Sequence, residues 1–212
     1  MNETATGVIL RTRPLTETSL IVHWLTPELG RIATVAKGAR RHRSPLQGKL
    51  DIFYQADFSF ARSRRSELHT LREVQLRETR EAIRKDMGRL QQAAYAASLV
   101  ENVTETETPL PEIYGLTCAF LDTLCQGDPS STLVFAFELK ILQEAGLQPD
   151  WGETKITAGT RKLAEALTEN DWSGSRRLRL TAAQADELGQ FLHGFLIYHL
   201  GRLPRGRAAA LE

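Results

Sequence analysis

The first 80 residues alternate between apolar and polar positions with the period of two that is typical of β-strands. Turn-forming segments separate five such stretches, which cover residues 6–13, 19–26, 31–37, 51–61 and 67–78. In residues 31–37, for example, Ile32, Thr34 and Ala36 alternate with Ala33 and Val35. Five short strands without a long helix between them predict a small antiparallel barrel, and the OB-fold is the commonest five-stranded one.

The rest of the chain has the apolar spacing of helices. The predicted helices cover residues 86–103, 110–127, 128–146, 159–170 and 181–202. Asp86 is placed to cap the first of them, and Thr181 with Gln184 forms a capping-box pattern at the start of the last. Residues 128–146 are apolar almost all round in their first half and predict the central core helix. His199 lies on the apolar stripe of the last helix and is expected in the core.

The predicted fold class is therefore α+β, with a five-stranded OB-fold barrel over residues 1–80 and an all-helical domain over residues 81–207. Residues 208–212, AAALE, have the composition of a cloning scar and are left out of the fold prediction. Because no apolar run approaches about 18 residues, no membrane-spanning helix is expected. The first 14 residues lack the pattern of a secretory signal, so a cytoplasmic protein is expected.

Charge is distributed unevenly along the chain, although the formal net charge is only +1. Residues 1–85 hold 16 Lys and Arg against 9 Asp and Glu, whereas residues 86–212 hold 11 against 17. A basic half followed by an acidic half indicates two domains with different partners.

The densest run of positive charge is VAKGARRHRSPLQGK, residues 35–49, which contains Lys37, Arg40, Arg41, Arg43 and Lys49 and no acid. One interpretation is a solvated loop. The other is a surface for nucleic acid, since a basic groove on a small barrel follows a phosphate backbone and guanidinium groups match phosphate oxygens. The density of unbalanced cations next to a predicted strand favours the second interpretation.

Further cations at strand ends and turns of the same half extend this predicted DNA-binding surface: Arg11, Arg13, Arg31, Arg62, Arg64 and Arg65. Aromatic rings add affinity for single strands when bases stack on them. The candidates for base stacking are Trp24, Phe53 and His69, with Tyr54 ranked low because the alternation places it in the core.

No signature of a catalytic or cofactor site is present. The chain lacks phosphate-binding glycine motifs, the zinc-protease pattern and a nucleophile elbow. We therefore expect no enzyme activity and no cofactor, although a site assembled from distant residues stays open as an alternative. Residues 147–180 contain no cysteine, which excludes a cysteine-ligated zinc site there, and we expect Trp151 and Trp172 to hold this segment by packing.

Residues 5–78 resemble the N-terminal domain of the bacterial recombination mediator RecO. The resemblance depends on the pattern R-x-x-x-E-x-S-x-x-V from Arg13 to Val22, on TPELGR at residues 26–31 and on VAKGARR at residues 35–41 followed by Ser44. It continues more loosely through the helices to F-L-x-x-H-L-G-R, residues 195–202. RecO proteins have an OB-fold followed by a helical domain, and many carry four zinc-binding cysteines that are absent here.

The resemblance implies a non-catalytic mediator that binds single- and double-stranded DNA, anneals complementary strands and helps to load the recombinase RecA. Its implied partners are RecR and the acidic C-terminal tail of single-stranded-DNA-binding protein. A tail that ends in an apolar residue needs an apolar pocket with a cationic rim. Lys140, a lone cation on an apolar helix, is the candidate for that rim, and the alternative is a side chain that only snorkels. Further cations of this half could complete the rim: Arg161, Lys162, Arg202, Arg205 and Arg207. An RNA-binding OB protein remains the alternative function, since the charge pattern fits both nucleic acids.

Overall fold

The computed structural model describes residues 2–212, which form two compact units. The first unit contains the residues up to Glu81 together with Thr104–Cys118, and the second contains Ala82–Val103 and Ala119–Glu212. A segment beyond the strands therefore packs with the barrel. The domain boundary predicted after residue 80 stays a prediction, as does the assignment of residues 208–212 as a scar.

Five strands close into a barrel in the order β1-β2-β3-β5-β4. The strands are β1 (Asn2–Pro14), β2 (Leu20–Thr26), β3 (Gly30–Ala36), β4 (Gln55–Ala61) and β5 (Leu68–Glu78). Neighbouring strands are antiparallel except β3 and β5, which are parallel and pair over only three positions, from Ala33 with Leu68 to Val35 with Thr70. The predicted barrel is confirmed, and each predicted strand corresponds to one observed strand.

Alternate residues of the strands fill the barrel. Ile32, Thr34 and Ala36 are buried as the period of two predicts. Trp24 stacks on Phe58, with ring centroids 4.1 Å apart, and its indole Nε1 donates to Thr34 Oγ1 at 2.9 Å. The hydrogen bond lets a polar threonine lie in an apolar core without an unsatisfied group.

A crossing segment, residues 104–110, packs against one end of the barrel within the first unit. Glu107 N donates to Arg31 O at 3.0 Å, and Leu110 N donates to Pro27 O at 3.1 Å. Gly30 adopts a φ of +64°, a left-handed value that glycine takes without strain. A Cβ at Gly30 would lie 1.8 Å from Thr108 O, so the segment can approach this closely only because residue 30 has no side chain.

Eight helices lie beyond the strands within residues 2–212. They are α1 (Glu81–Arg84), α2 (Met87–Val103), α3 (Pro111–Cys125), α4 (Ser131–Glu144), α5 (Ala158–Glu169), α6 (Trp172–Arg177), α7 (Ala182–Leu200) and α8 (Arg207–Leu211). The five long ones were predicted, and the short α1, α6 and α8 were not. Asp86 caps α2 through Arg89 N at 2.8 Å, and the capping box of Thr181 and Gln184 is present.

The second unit is arranged around α4, whose residues from Leu133 to Leu142 are buried except Lys140. Glu138 of α4 is fully buried and accepts hydrogen bonds from Arg207 Nε at 2.6 Å and from the Tyr95 hydroxyl. Burial raises the pKa of Tyr95 well above its ordinary value, so the phenol stays protonated and donates. A buried carboxylate is tolerated because a guanidinium and a hydroxyl satisfy it.

Aromatic residues hold the segment between α4 and α7, as expected. Trp172 packs on Phe137 and Trp151 on Phe191, with ring centroids 6.5 and 5.5 Å apart. The prediction for His199 was wrong, because its side chain is exposed and contacts Phe195 from outside the core. His199 lies in the last turn of α7, where the apolar stripe extends beyond the part of the helix that is packed.

We expect Gly30→Ala to destabilise the first unit by more than backbone strain alone. A left-handed φ costs a non-glycine residue about 1–2 kcal/mol, and the new methyl group also displaces the crossing segment. Gly48→Ala is the matched control, since Gly48 has a φ of +73° and a Cβ added there would meet nothing within 4 Å. Urea unfolding of both variants measures the difference. Equal losses of unfolding free energy would contradict the close approach at Gly30.

Candidate nucleic-acid interface

The segment between β3 and β4, residues 37–54, is called the basic loop here, and consecutive tight turns shape it. Backbone hydrogen bonds join Arg41 N to Gly38 O, Ser44 N to Arg41 O and Gln47 N to Ser44 O, at 3.0–3.1 Å. Arg40 N donates to Thr18 O at 3.0 Å, which ties the loop to the β1–β2 turn. The loop therefore has a defined path, although it is neither helix nor strand.

Two apolar side chains anchor the basic loop in the barrel. Ala39 and Leu46 are buried and belong to the same core cluster as Trp24 and Phe58. Leu50 is partly buried and packs against that cluster. The cationic positions between these anchors must consequently face outward.

Lys37, Arg40, Arg41 and Arg43 are exposed, and the structure brings all four together on the basic loop. Arg40 Nη1 lies 3.4 Å from Thr16 O. None of the described residues forms a salt bridge with these four side chains, whereas Arg62 and Arg77 of the same unit pair with Glu3 and Asp57. These four side chains thus present positive charge without an ion-pair partner among residues 2–212.

Arg11 and Arg13 are two further cations, both on β1. Both are exposed, and Arg13 pairs with Ile21 of β2, which in turn pairs with Val35, two residues before the basic loop. His23 lies beside Arg11 in the strand register and is half-buried. Burial lowers the pKa of His23 to about 4, and the charges of Arg11, Arg13 and Arg31 act in the same direction.

Arg31 lies away from the basic loop. It is at the opposite end of β3, roughly 20 Å from Lys37 at the usual rise per strand residue. Its Nε donates to Thr104 Oγ1 at 2.7 Å and its Nη2 to Thr104 O at 2.6 Å. The guanidinium therefore holds the crossing segment, and its assignment to DNA binding stays a prediction that the position does not favour.

The prediction of stacking platforms was wrong. All four candidate rings, those of Trp24, Phe53, Tyr54 and His69, are buried in the first unit. His69 stacks on Phe60, and its Nδ1 accepts a hydrogen bond from Ser63 N at 3.3 Å. All four side chains pack inside the first unit, so none of them is available to a base at the surface.

A groove of about 610 Å³ lies between the basic loop and β5. Lys49 and Arg72 contribute cations to its walls, and Pro45 and Leu46 contribute apolar surface. Arg72 was not selected from the sequence, because Glu73 follows it and its strand carries both signs of charge. Glu73 and Asp57 also line the groove, so its charge is mixed, unlike that of the basic loop.

Lys140 lies on α4 in the second unit and is partly buried. Its ammonium donates to Thr168 O and to Asn170 O, both at 2.6 Å, at the end of α5. Burial lowers the pKa of Lys140, and nearby Asp171 opposes that change. The ammonium has three donors, so one remains for a further acceptor. Its role toward a partner stays a prediction.

Within residues 2–212, no three side chains of His, Cys, Asp or Glu meet in an arrangement that could hold a metal ion. None of the helices in this range combines the length and the apolar character needed to cross a bilayer.

The strand order and the helices that follow define the class of the chain as an OB-fold protein with a helical C-terminal region. The family described as Recombination protein O N terminal matches residues 1–80, and Recombination protein O C terminal matches residues 84–154. The chain therefore belongs to the RecO family of DNA repair proteins.

Curated relatives named DNA repair protein RecO are similar over most of the chain. The protein of Listeria monocytogenes is 30% identical, over 95% of this chain and 80% of its own length. That of Alkaliphilus metalliredigens is 28% identical over 93% of both. That of Anaeromyxobacter sp. (strain K) is 35% identical over 68% of this chain, and the match spans only 57% of that relative's length.

We expect His23 to remain neutral in the folded protein at pH 5.5. An unfolded histidine takes up a proton near pH 6.5, whereas folded His23 does so only at about 4. The contribution of His23 to stability is thus complete above pH 6.5 and is lost as the pH falls from 6.5 toward 4. In His23→Gln, the unfolding free energy should therefore decrease less as the pH falls from 6.5 toward 4. Imidazole NMR shifts and urea unfolding measure both effects, and titration of His23 near pH 6.5 would contradict the assignment.

Proposed function

We propose that the protein binds single- and double-stranded DNA through the basic loop, anneals complementary strands and helps to load recombinase onto strands coated with single-stranded-DNA-binding protein. The observation that carries the proposal is a group of four exposed cations that form no ion pair with any of the described residues: Lys37, Arg40, Arg41 and Arg43. Membership of the RecO family supports DNA rather than another polyanion as the ligand.

An ordered loop makes these cations more effective than a mobile tail with the same charge. The turns and the buried anchors Ala39 and Leu46 fix the backbone before any ligand arrives. Less conformational freedom is then lost on binding, so more of the electrostatic attraction contributes to affinity. Annealing follows from the same charge, because two strands that repel each other can approach on a neutralising surface.

Catalysis and cofactors have no role in this proposal. Annealing by charge neutralisation needs no nucleotide. Cooperation with RecR and with the recombinase then depends on contacts between the proteins.

RNA is the alternative ligand, since phosphates are common to both nucleic acids. Parallel binding measurements with DNA and RNA of the same sequence distinguish the two, and a clear preference for RNA would overturn the DNA proposal.

Replacing Lys37, Arg40, Arg41 and Arg43 together by Ala should weaken DNA binding and slow annealing. Each phosphate contact to a single strand contributes about −0.7 to the slope of log K against log salt. If the four cations each contact a phosphate, the slope should become less steep by roughly 3. Fluorescence anisotropy over a range of salt concentrations measures the slope, and strand annealing without ATP is measured in parallel.

A control of equal charge replaces four exposed cations of the second unit, Lys155, Lys162, Arg179 and Arg205, by Ala. The control removes the same amount of positive charge. A difference between the two variants therefore shows that the position of the charge, and not only its amount, determines binding. We expect the control to retain most of the salt dependence. An unchanged slope in the basic-loop variant would mean that the loop is only solvated.

The proposal also includes the acidic tail of single-stranded-DNA-binding protein as a ligand of the second unit, with Lys140 as a candidate contact. Lys140 has one donor beyond those given to Thr168 O and Asn170 O. Its ammonium also lies 5.7 Å from the centre of the Trp172 ring, so apolar surface and positive charge are adjacent. That combination suits an apolar residue with a free carboxylate.

We expect Lys140→Met to weaken binding of a labelled acidic tail peptide by about tenfold, because loss of one charged hydrogen bond costs about 1.5–3 kcal/mol. Met keeps the apolar stem, so thermal unfolding should show a folded protein. Lys155→Ala, which removes an exposed cation before α5, is the control. If the wild type shows no saturable binding, the proposed interaction with the tail is wrong. If the wild type and Lys140→Met bind equally well, only the assignment of Lys140 as a contact is wrong.

A further inference from the structure

A cleft of about 470 Å³ opens within the basic loop, between the loop and the start of β2. This volume is in the range of pockets that bind small molecules, about 300–1,000 Å³. The cleft belongs entirely to the first unit. It is distinct from the groove along β5, which lies on the other side of Leu46 and is lined by Arg72 and Lys49.

The floor of the cleft is aliphatic and rigid. Ala39 and Leu46 are buried in the barrel core, and Leu20 and Leu50 are partly buried and pack against it. Because Leu20 and Leu50 are only partly covered, the floor presents apolar surface inside a strongly cationic loop. Such a surface favours the binding of a flat apolar group, because removing apolar surface from water is favourable.

The rim of the cleft is cationic. Arg40, Arg41 and His42 line it and are exposed. Arg41 and His42 form no salt bridge with any of the residues that the structure describes. Gly48 lies at the same opening, and a methyl group there would meet nothing within 4 Å, so the entrance is clear of neighbouring atoms.

We infer that the cleft receives one unstacked base of a single strand, with the flanking phosphates on Arg40 and Arg41. This inference rests on the proposed DNA binding and adds a site for the base. A base in a duplex is paired and stacked, so it cannot enter without first being extruded. The buried rings of the first unit offer no stacking surface, which leaves the aliphatic floor and the guanidinium planes as the contacts for a base.

The rim and the floor together favour a nucleotide as the occupant. The exposed guanidinium groups of Arg40 and Arg41 suit the two phosphates that flank a base, and Leu20 and Leu50 supply apolar surface for its flat face. A nucleotide of a single strand carries both kinds of group at adjacent positions, so it fits the cleft with its phosphates on the rim.

The test compares two single strands of equal length, one intact and one built of abasic sites, which carry the same phosphates. We expect the wild type to bind the intact strand about tenfold more tightly, at the low end of what base contacts provide. Leu50→Ala should reduce this ratio to about twofold or less, whereas Leu50→Met should retain it. The salt slope should be the same for all three proteins, because the phosphate contacts do not change.

A fluorescent base supplies a second measurement, since 2-aminopurine brightens when it leaves its stacked neighbours. We expect brightening with the wild type and less with Leu50→Ala, and thermal unfolding identifies a variant that has not folded. The inference is overturned if the wild type binds intact and abasic strands equally, or if folded Leu50→Ala keeps the full ratio. It is also overturned if an acidic peptide, rather than the base, loses affinity in Leu50→Ala. Failure of the wild type to bind either strand would instead overturn the proposed DNA binding.

Discussion

The short pairing of β3 with β5 is the constraint on which the arrangement of the first unit depends. Only three residue pairs join these strands, so β5 beyond Thr70 lacks a partner on the side of β3. The basic loop supplies apolar groups there, and Leu46 shares the core cluster with Leu71 and Val74 of β5. The same packing therefore completes the barrel core and fixes the backbone of the basic loop.

The same connection explains why charge can be concentrated without disorder. Like charges on a free segment repel each other and extend it. Here Ala39 and Leu46 hold both ends of the most cationic run in the core, and turns satisfy its backbone. Burial of two aliphatic side chains therefore opposes the repulsion among Arg40, Arg41 and Arg43.

Sequence periodicity was sufficient for the barrel and for the five long helices, because burial on one face imposes it directly. The alternation of Ile32, Thr34 and Ala36 is an example. Contacts between distant residues left no comparable pattern. The hydrogen bonds of Arg31 to Thr104 and of Arg207 to Glu138 join residues 73 and 69 positions apart, and a single sequence cannot pair them. The lone acid in the apolar run of α4 was the only available sign of the second contact. The exposure of Lys37, Arg40, Arg41 and Arg43 agrees with the sequence, and their role toward DNA stays a prediction. The exposure of aromatic rings was misjudged, because strand formation and base stacking use the same residue types.

The anchoring of the basic loop has a consequence for how the protein can change. Ala39 and Leu46 carry the packing, while the intervening side chains at positions 40–43 project into solvent and touch little of the core. Substitutions there can add or remove charge with small effects on folding, since surface changes away from packed groups are usually within about 0.5 kcal/mol. The proposed affinity for a polyanion can thus be adjusted gradually, by evolution or by an engineer, on a scaffold whose architecture stays the same.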